Sequence, residues 1–224
     1  MSAPARRGTG DAIAIGATIL MGSSYPFAKE VLGVMSPLLY GASRYLVASL
    51  VLLGAAWLLR RPLRLVPRDA LALFALSLAG VAAFNACWGL AIARTPPGLG
   101  AILITSSTAF SAILARLAGR RLPALGWLGI AVAFAGVAVT VNNSLTRLTL
   151  AVDRLDGPLL WLMAAFAWAF YVERAAPYNA RLGALPVMAW TTLLGALALL
   201  PAALIFDSLG EFARLDTRLL GYWL

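Results

Sequence analysis

The sequence contains no histidine and a single cysteine, Cys87, and each absence removes classes of function. Without histidine there is no Ser-His hydrolase and no His-ligated zinc site. One cysteine can form neither an internal disulfide nor the cysteine pair of a disulfide-forming enzyme. Every aspartate lies at a helix end or in a gap between apolar runs, which argues against an intramembrane aspartyl hydrolase. We therefore expect no enzymatic activity, no metal and no cofactor.

Charge is scarce as well: 12% of the residues are charged and 62% are hydrophobic, with mean hydropathy +0.87. A soluble domain has about 25% charged residues, so this composition is typical of a membrane protein. A retinal protein needs a lysine in its last helix, but the only lysine, Lys29, lies in the first apolar run. The sequence therefore excludes a retinal protein. The net charge is +9, and the charged residues lie in short gaps between apolar runs. This placement indicates how the chain is oriented in a membrane, and not a nucleic-acid partner.

Long apolar runs are abundant, and a run of about 20 residues is enough to cross the membrane as a helix. Such runs occur near 12–33, 37–59, 70–93, 98–117, 123–142, 157–176 and 185–206, and an eighth begins at Leu219. This pattern predicts an all-α membrane protein, a multi-span helical bundle with seven full spans and the start of an eighth. Because the eighth run stops after six residues, we expect the chain to be truncated at its C-terminus.

Arginines favour alternate gaps between the runs, and cationic short loops are retained in the cytoplasm. The sequence therefore predicts a cell inner (plasma) membrane protein with a cytoplasmic N-terminus. The arginines on the predicted inner side are Arg6, Arg7, Arg60, Arg61, Arg64, Arg68, Arg116, Arg120, Arg121, Arg174 and Arg181. On the predicted outer side there are fewer: Arg94, Arg147, Arg154, Arg214 and Arg218.

Weak self-similarity recurs at an offset of about 147 residues. It pairs Asp11 with Asp156, Met21–Tyr25 with Trp168–Tyr171, Ser36-Pro37 with Leu185-Pro186, and Asp69 with Arg218. The second unit starts after five helices, and because five is odd it must enter the bilayer from the opposite side. We thus predict inverted five-helix repeats, the first at 1–147 and an incomplete second at 148–224. A complete protein would have about 295 residues and ten helices, about 70 residues more than this chain.

Several motifs are similar to one family of membrane proteins. They are Met21-Gly-Ser-Ser-Tyr25 with Lys29; Pro37, Arg44 and Ala48; Gly89–Ala93 before Gly100–Leu103; Gly119–Leu122 with Trp127–Gly129 and Gly136; and Trp168-Ala169 with Tyr171. In this pattern the chain resembles the drug/metabolite transporter superfamily, specifically the EamA-type permeases. The resemblance implies a permease built from two repeats that moves a metabolite or drug across the membrane.

Polar residues inside spans are costly and by default mark a pathway. Pro26 frees the carbonyl of Gly22, so hydroxyls nearby could line a cavity at a kink. Asn85 and Trp88 share a helix face, and Asn has no aliphatic stem with which to reach the interface. The candidate substrate-binding residues are Ser23, Ser24, Tyr25, Asn85, Trp88, Thr105, Ser107, Trp168 and Tyr171. Local hydrogen bonding or helix packing is the alternative role for each of them.

The charged residues of the first two spans call for partners. Arg44 lies seven residues after Pro37, about 10 Å along the helix. We predict a structural ion pair with Glu30 in the neighbouring span, and substrate contact is the alternative role of Arg44. Lys29, near the outer end, is expected to reach the interface as an anchor. Trp161, near the start of the sixth span, is typical of an interfacial belt residue.

The combined interpretation is an inner-membrane permease or exporter of small organic metabolites such as amino acids, working by alternating access between two inverted repeats. The expected partners are the lipid bilayer and a small-molecule substrate, with a homodimer left open and nucleic acid excluded. The alternative is a non-transporting membrane scaffold or an inactive truncated remnant.

Overall fold

The structure is almost entirely helical. The computed structural model describes residues 15–17, 19, 20, 22, 24, 26–120, 123–142, 155–206 and 209–223, and no strand occurs among them. The helices are α1 (helical positions between 15 and 31), α2 (Pro37–Leu58), α3 (Pro67–Ser77), α4 (Phe84–Arg94), α5 (Pro97–Leu103), α6 (Ser107–Leu117), α7 (Ala124–Asn142), α8 (Asp156–Leu182), α9 (Ala184–Phe206) and α10 (Thr217–Trp223). A π-helical segment (Leu78–Ala83) joins α3 to α4, and 3-10 segments occupy Ile104–Ser106 and Leu209–Arg214.

Helix boundaries follow local sequence signals. Proline is the first residue of α2, α3 and α5, where its missing N–H costs no intrahelical hydrogen bond. The Ser36 hydroxyl caps α2 by accepting a hydrogen bond from the Leu39 N–H at 3.2 Å. Gly119 follows α6 and Gly183 follows α8, with φ of 88° and 91°, a conformation that favours glycine. These signals confine the turns to short segments.

Four helical segments are long and apolar enough to cross a membrane: Pro37–Leu58, Pro67–Arg94, Asp156–Leu182 and Ala184–Phe206. The second consists of α3, the π-helical segment and α4, and Ala124–Val137 is a shorter apolar helix. The all-helical class is therefore confirmed for the described residues. The count of seven spans, the inverted repeats and the division at 147/148 stay predictions.

The bundle is organised around two helix contacts. α2 packs most extensively against α9, and α4 packs against α8. The π-helical segment contacts both α8 and α9. It approaches α9 at Gly195, where an added Cβ would lie 2.3 Å from the Val81 Cβ. Small residues at such contacts let membrane helices come close together.

Polar contacts at one end of the bundle join α1, α2 and α4 to later parts of the chain; we call it the 30/95 end. Lys29 Nζ donates a 3.0 Å hydrogen bond to the carbonyl of Ile92 and another to that of Thr95. The lysine thus caps the C-terminus of α4, where a positive charge is favourable. The Ser36 N–H donates to Glu211 Oε2 at 2.7 Å. Lys29 therefore has a specific structural role beyond the predicted anchoring.

At the opposite end, two ion pairs join the helices; we call it the 69/181 end. Arg181 pairs with Asp69 at 2.6 Å, and this carboxylate side chain is only 9% exposed. Arg120 pairs with Glu173. These contacts bring together the start of α3, the end of α6 and the last turns of α8.

Candidate functional site

An open cavity of about 530 Å³ lies among α1, α2, α4 and α9. Each longer helix contributes side chains of which each lies within about one turn of the next along the chain. The lining residues are Ser24, Arg44, Tyr45, Ala48, Leu52, Phe84, Asn85, Trp88, Met188 and Thr192. The cavity thus combines one cation and a few neutral polar groups with a largely apolar wall.

The α4 wall begins directly after the π-helical segment. Asn85 is 5% exposed, and its Nδ2 donates a 2.6 Å hydrogen bond to the Val81 carbonyl in the preceding turn. The Tyr45 side chain of α2 also interacts with the Asn85 amide. π-helical turns within α-helices are frequent at functional sites because they reorient neighbouring side chains. Here the turn precedes the three cavity residues of α4.

The guanidinium of Arg44 is held by Tyr40, one helical turn away on α2. Its Nη1 donates to the Tyr40 hydroxyl at 2.6 Å, and the guanidinium carbon lies 5.1 Å from the centre of the ring. Tyr40 in turn stacks on Trp88, with ring centroids 6.2 Å apart, and Trp88 meets Trp161 edge to face at 6.3 Å. Trp161 Nε1 donates to the Thr95 hydroxyl at 2.8 Å. A row of aromatic rings therefore connects the cavity to the 30/95 end.

Three predicted substrate-binding residues line this cavity together: Ser24, Asn85 and Trp88. Two more lie just behind the wall. The ring of Trp168 is 5.4 Å from that of the lining residue Phe84. Tyr171 shares a 3.0 Å hydrogen bond with Thr191, the neighbour of the lining residue Thr192.

The remaining candidates lie elsewhere. Thr105 is exposed, its hydroxyl donates to the Ile102 carbonyl at 2.6 Å, and neither it nor Ser107 lines the cavity. Ser23 and Tyr25 lie outside the described residues. The structure therefore brings together part of the predicted set and separates the α5–α6 hydroxyls from it.

The predicted Glu30–Arg44 ion pair is wrong. Glu30 pairs with Arg218, whose Nη2 lies 2.9 Å from Glu30 Oε2, and Arg44 binds Tyr40 instead. Arg218 also donates from Nε to the Tyr222 hydroxyl at 2.9 Å. The hydrogen bond to Tyr222, with the charge of Glu30, raises the pKa of Arg218, which stays cationic. Arg44 is thereby left facing the cavity.

Tyr45, Phe84, Met188 and Thr192 line the cavity although none was predicted from the sequence. The sequence held a signal for two of them: Met188 and Thr192 are four residues apart on an otherwise apolar helix, so they share a face. Phe84 and Tyr45 adjoin Asn85 and Arg44, but no periodicity indicates that adjacent residues of a helix face the same cavity.

The described lining of the cavity offers side chains that can bind a solute. The lining residues with side-chain donors are Ser24, Arg44, Tyr45, Asn85, Trp88 and Thr192. Within the described residues, no group of three or more His, Cys, Asp or Glu side chains could hold a metal ion. Binding and release of an organic solute is the chemistry that this lining offers.

Comparisons with known proteins agree with this architecture. Residues 8–142 match the sequence profile of the EamA-like transporter family. A Bacillus subtilis (strain 168) protein described as "Uncharacterized transporter YyaM" is 24% identical over 195 residues, which are 85% of this chain and 63% of that protein. This chain thus spans less than two thirds of the length of that relative. A crystal structure of a protein with 23% identity has a TM-score of 0.62 and covers 95% of this chain and 74% of its own, which supports the fold alone.

Proposed function

Because the chain belongs to the EamA-like transporter family, we propose that this multi-pass membrane protein is an inner-membrane permease or exporter of small organic metabolites such as amino acids. It works by alternating access between two inverted repeats. The observation that carries the proposal is the cavity of about 530 Å³ with polar groups at membrane depth.

The depth of those polar groups supports a transport pathway. Arg44 lies about 10 Å from the start of α2, and Thr192 about 12 Å from the start of α9, at 1.5 Å per residue. Asn85 lies about 14 Å from the end of the segment Pro67–Arg94. Transporter sites commonly lie near the bilayer midplane, where polar groups are otherwise expensive.

Alternating access requires contacts that can close the cavity at either side. Candidates exist at both ends of the bundle: Arg94–Asp156 at the 30/95 end, and Asp69–Arg181 with Arg120–Glu173 at the 69/181 end. An exposed ion pair such as Arg94–Asp156 is worth about 1 kcal/mol or less, so it can exchange during a cycle. The Asp69 carboxylate is buried, so its pair with Arg181 costs more to break. The packing of α2 against α9 also fits inverted repeats, because the predicted duplication relates these two helices.

We infer a cytoplasmic N-terminus from the arginines gathered near the 69/181 end. Cysteine labelling in spheroplasts tests it. In a Cys87→Ser background, Arg64→Cys is expected to be protected from a membrane-impermeant maleimide, whereas Leu209→Cys is expected to react. The reverse pattern would overturn the orientation.

Transport itself is tested by reconstituting the purified chain in lipid vesicles and measuring efflux of a panel of amino acids and small neutral solutes. We expect saturable efflux above that of protein-free vesicles for at least one solute. Equal rates for the whole panel would contradict a transporter and favour the non-transporting scaffold.

Asn85→Ala is expected to lower that efflux several-fold while leaving the fold intact. The substitution removes the amide from the cavity wall, but a side-chain hydrogen bond inside a membrane bundle is worth only about 0.6 kcal/mol. The matched control is Asn179→Ala, the same change on α8 at a position that does not line the cavity. If efflux is the same in both variants, Asn85 is not part of the transport pathway.

A further inference from the structure

We propose that the cavity recognises its solute through a carboxylate, with Arg44 as the anion-binding group, so that the substrate class is small organic acids with one carboxylate and an apolar body. The inference rests on the proposed function, because it assigns the substrate chemistry of the same cavity.

The first argument is charge. The ion pairs among the described residues use Arg94, Arg120, Arg181 and Arg218, and no described carboxylate pairs with Arg44. A cation at membrane depth is expensive unless an opposite charge or water compensates it. A solute carboxylate entering the cavity supplies that charge, and guanidinium binds carboxylates with two parallel hydrogen bonds.

The second argument is positioning. A guanidinium has five N–H donors, and the described contact with the Tyr40 hydroxyl uses Nη1. Tyr40 is only 3% exposed and stacks on Trp88, so the acceptor that orients Arg44 is itself held by packing. The arginine is therefore presented at the cavity wall in one orientation with donors left for a ligand.

The third argument is the composition of the rest of the wall. Among the described residues that line the cavity, Arg44 is the one charged side chain. Phe84, Trp88 and Met188 offer apolar surface. The neutral polar groups of the wall are those of Ser24, Tyr45, Asn85 and Thr192. One cation with an apolar surround fits a monoanion better than a dianion, a cation or a sugar.

Three probes of similar shape separate these classes: phenylacetate, its neutral amide phenylacetamide, and the cation phenethylamine. The purified chain in lipid nanodiscs is equilibrated with radiolabelled phenylacetate, and the other two compete for it. We expect saturable binding of phenylacetate and at least about tenfold weaker competition by the amide and the amine, because hydrogen bonds to ionised groups are the stronger ones.

Arg44→Gln is expected to weaken phenylacetate binding at least about tenfold, and Arg44→Lys to restore part of it, since lysine keeps the charge but not the planar fork. The matched control is Arg218→Gln. Arg218 makes the same kind of contact, with a tyrosine hydroxyl and ring four residues away at 2.9 Å and 5.2 Å, but it pairs with Glu30 and does not line the cavity. Its substitution is expected to leave binding unchanged.

The outcomes separate the two proposals. Absence of phenylacetate binding, equal competition by all three probes, or equal loss in Arg44→Gln and Arg218→Gln would overturn carboxylate recognition. In that case, efflux of other solutes from vesicles would still support the proposed transport function. Conversely, Arg44-dependent binding of phenylacetate without efflux of any solute would support the carboxylate site and contradict the transporter.

Discussion

Gly195→Ala is expected to lower the free energy of unfolding by about 1–3 kcal/mol, and by more if the backbone cannot move. The new Cβ would lie 2.3 Å from the Val81 Cβ, an atom fixed directly to the backbone of the π-helical segment. The steric clash can therefore be relieved only if α9 moves away from that segment. A thermal melt in detergent is expected to show a midpoint several degrees lower than that of the wild type.

The control for this variant is Gly54→Ala on α2, where an added Cβ meets nothing within 4 Å. That change is expected to alter stability by less than about 0.5 kcal/mol, with a small gain from helix propensity. Val81→Gly is expected to cost less in the Gly195→Ala background than in the wild type, because it removes the atom that the new Cβ would strike. Equal melting of the Gly195 and Gly54 variants would contradict the close approach of α9.

The helices were predictable because their signals are local. Apolar runs and the prolines that begin α2, α3 and α5 are visible in one dimension. That Asn85 needs a hydrogen-bond partner could be inferred for the same reason, since an amide deep in an apolar run needs one wherever it points. Its actual environment, between the Val81 carbonyl and Tyr45, required the structure.

Pairings between distant residues were not predictable. Glu30 and Arg44 are close in sequence and lie in adjacent spans, so pairing them is reasonable, yet Glu30 binds Arg218, 188 residues away. Spacing along a helix sets which face a residue occupies, but not which helix faces it. The same limit hid the capping of α4 by Lys29, 66 residues from Thr95.

The π-helical segment was also invisible in the sequence. Leu78–Ala83 has the sequence of an ordinary apolar stretch, and the π-helical turn occurs where this segment contacts α8 and α9. It shifts the register of Phe84, Asn85 and Trp88 relative to α3. If a helical period of 3.6 residues is continued through Pro67–Arg94, the helix faces predicted on one side of the π-helical segment are therefore wrong.

Trp161 illustrates how tertiary contacts override position in a span. Its place near the start of the sixth run predicted an interfacial belt residue, but the side chain is 0% exposed. It covers Gly100, where a Cβ would lie 2.1 Å from the indole, and its Nε1 donates to Thr95. The belt prediction is wrong because the neighbouring helices close over the ring.

Trp161→Ala is accordingly expected to destabilise the protein by about 3–5 kcal/mol, the usual cost of deleting a buried tryptophan. Trp161→Phe keeps most of the apolar contact but loses the donor to Thr95, so it should cost about 1–3 kcal/mol. Thermal melts of both variants measure these losses. Trp127→Ala is the control, since Trp127 is 48% exposed on α7 and should change stability little.

Trp161 also supports Trp88, on which Tyr40 and then Arg44 depend. Trp161→Phe is therefore expected to weaken phenylacetate binding in nanodiscs below the unfolding temperature, whereas Trp127→Ala is not. Trp161→Phe is expected to lose only the stability that its hydrogen bond to Thr95 contributes. If this variant also binds phenylacetate more weakly, the row of aromatic rings orients the cavity. Unchanged binding in Trp161→Phe would mean that Trp88 and Tyr40 hold Arg44 without support from the 30/95 end.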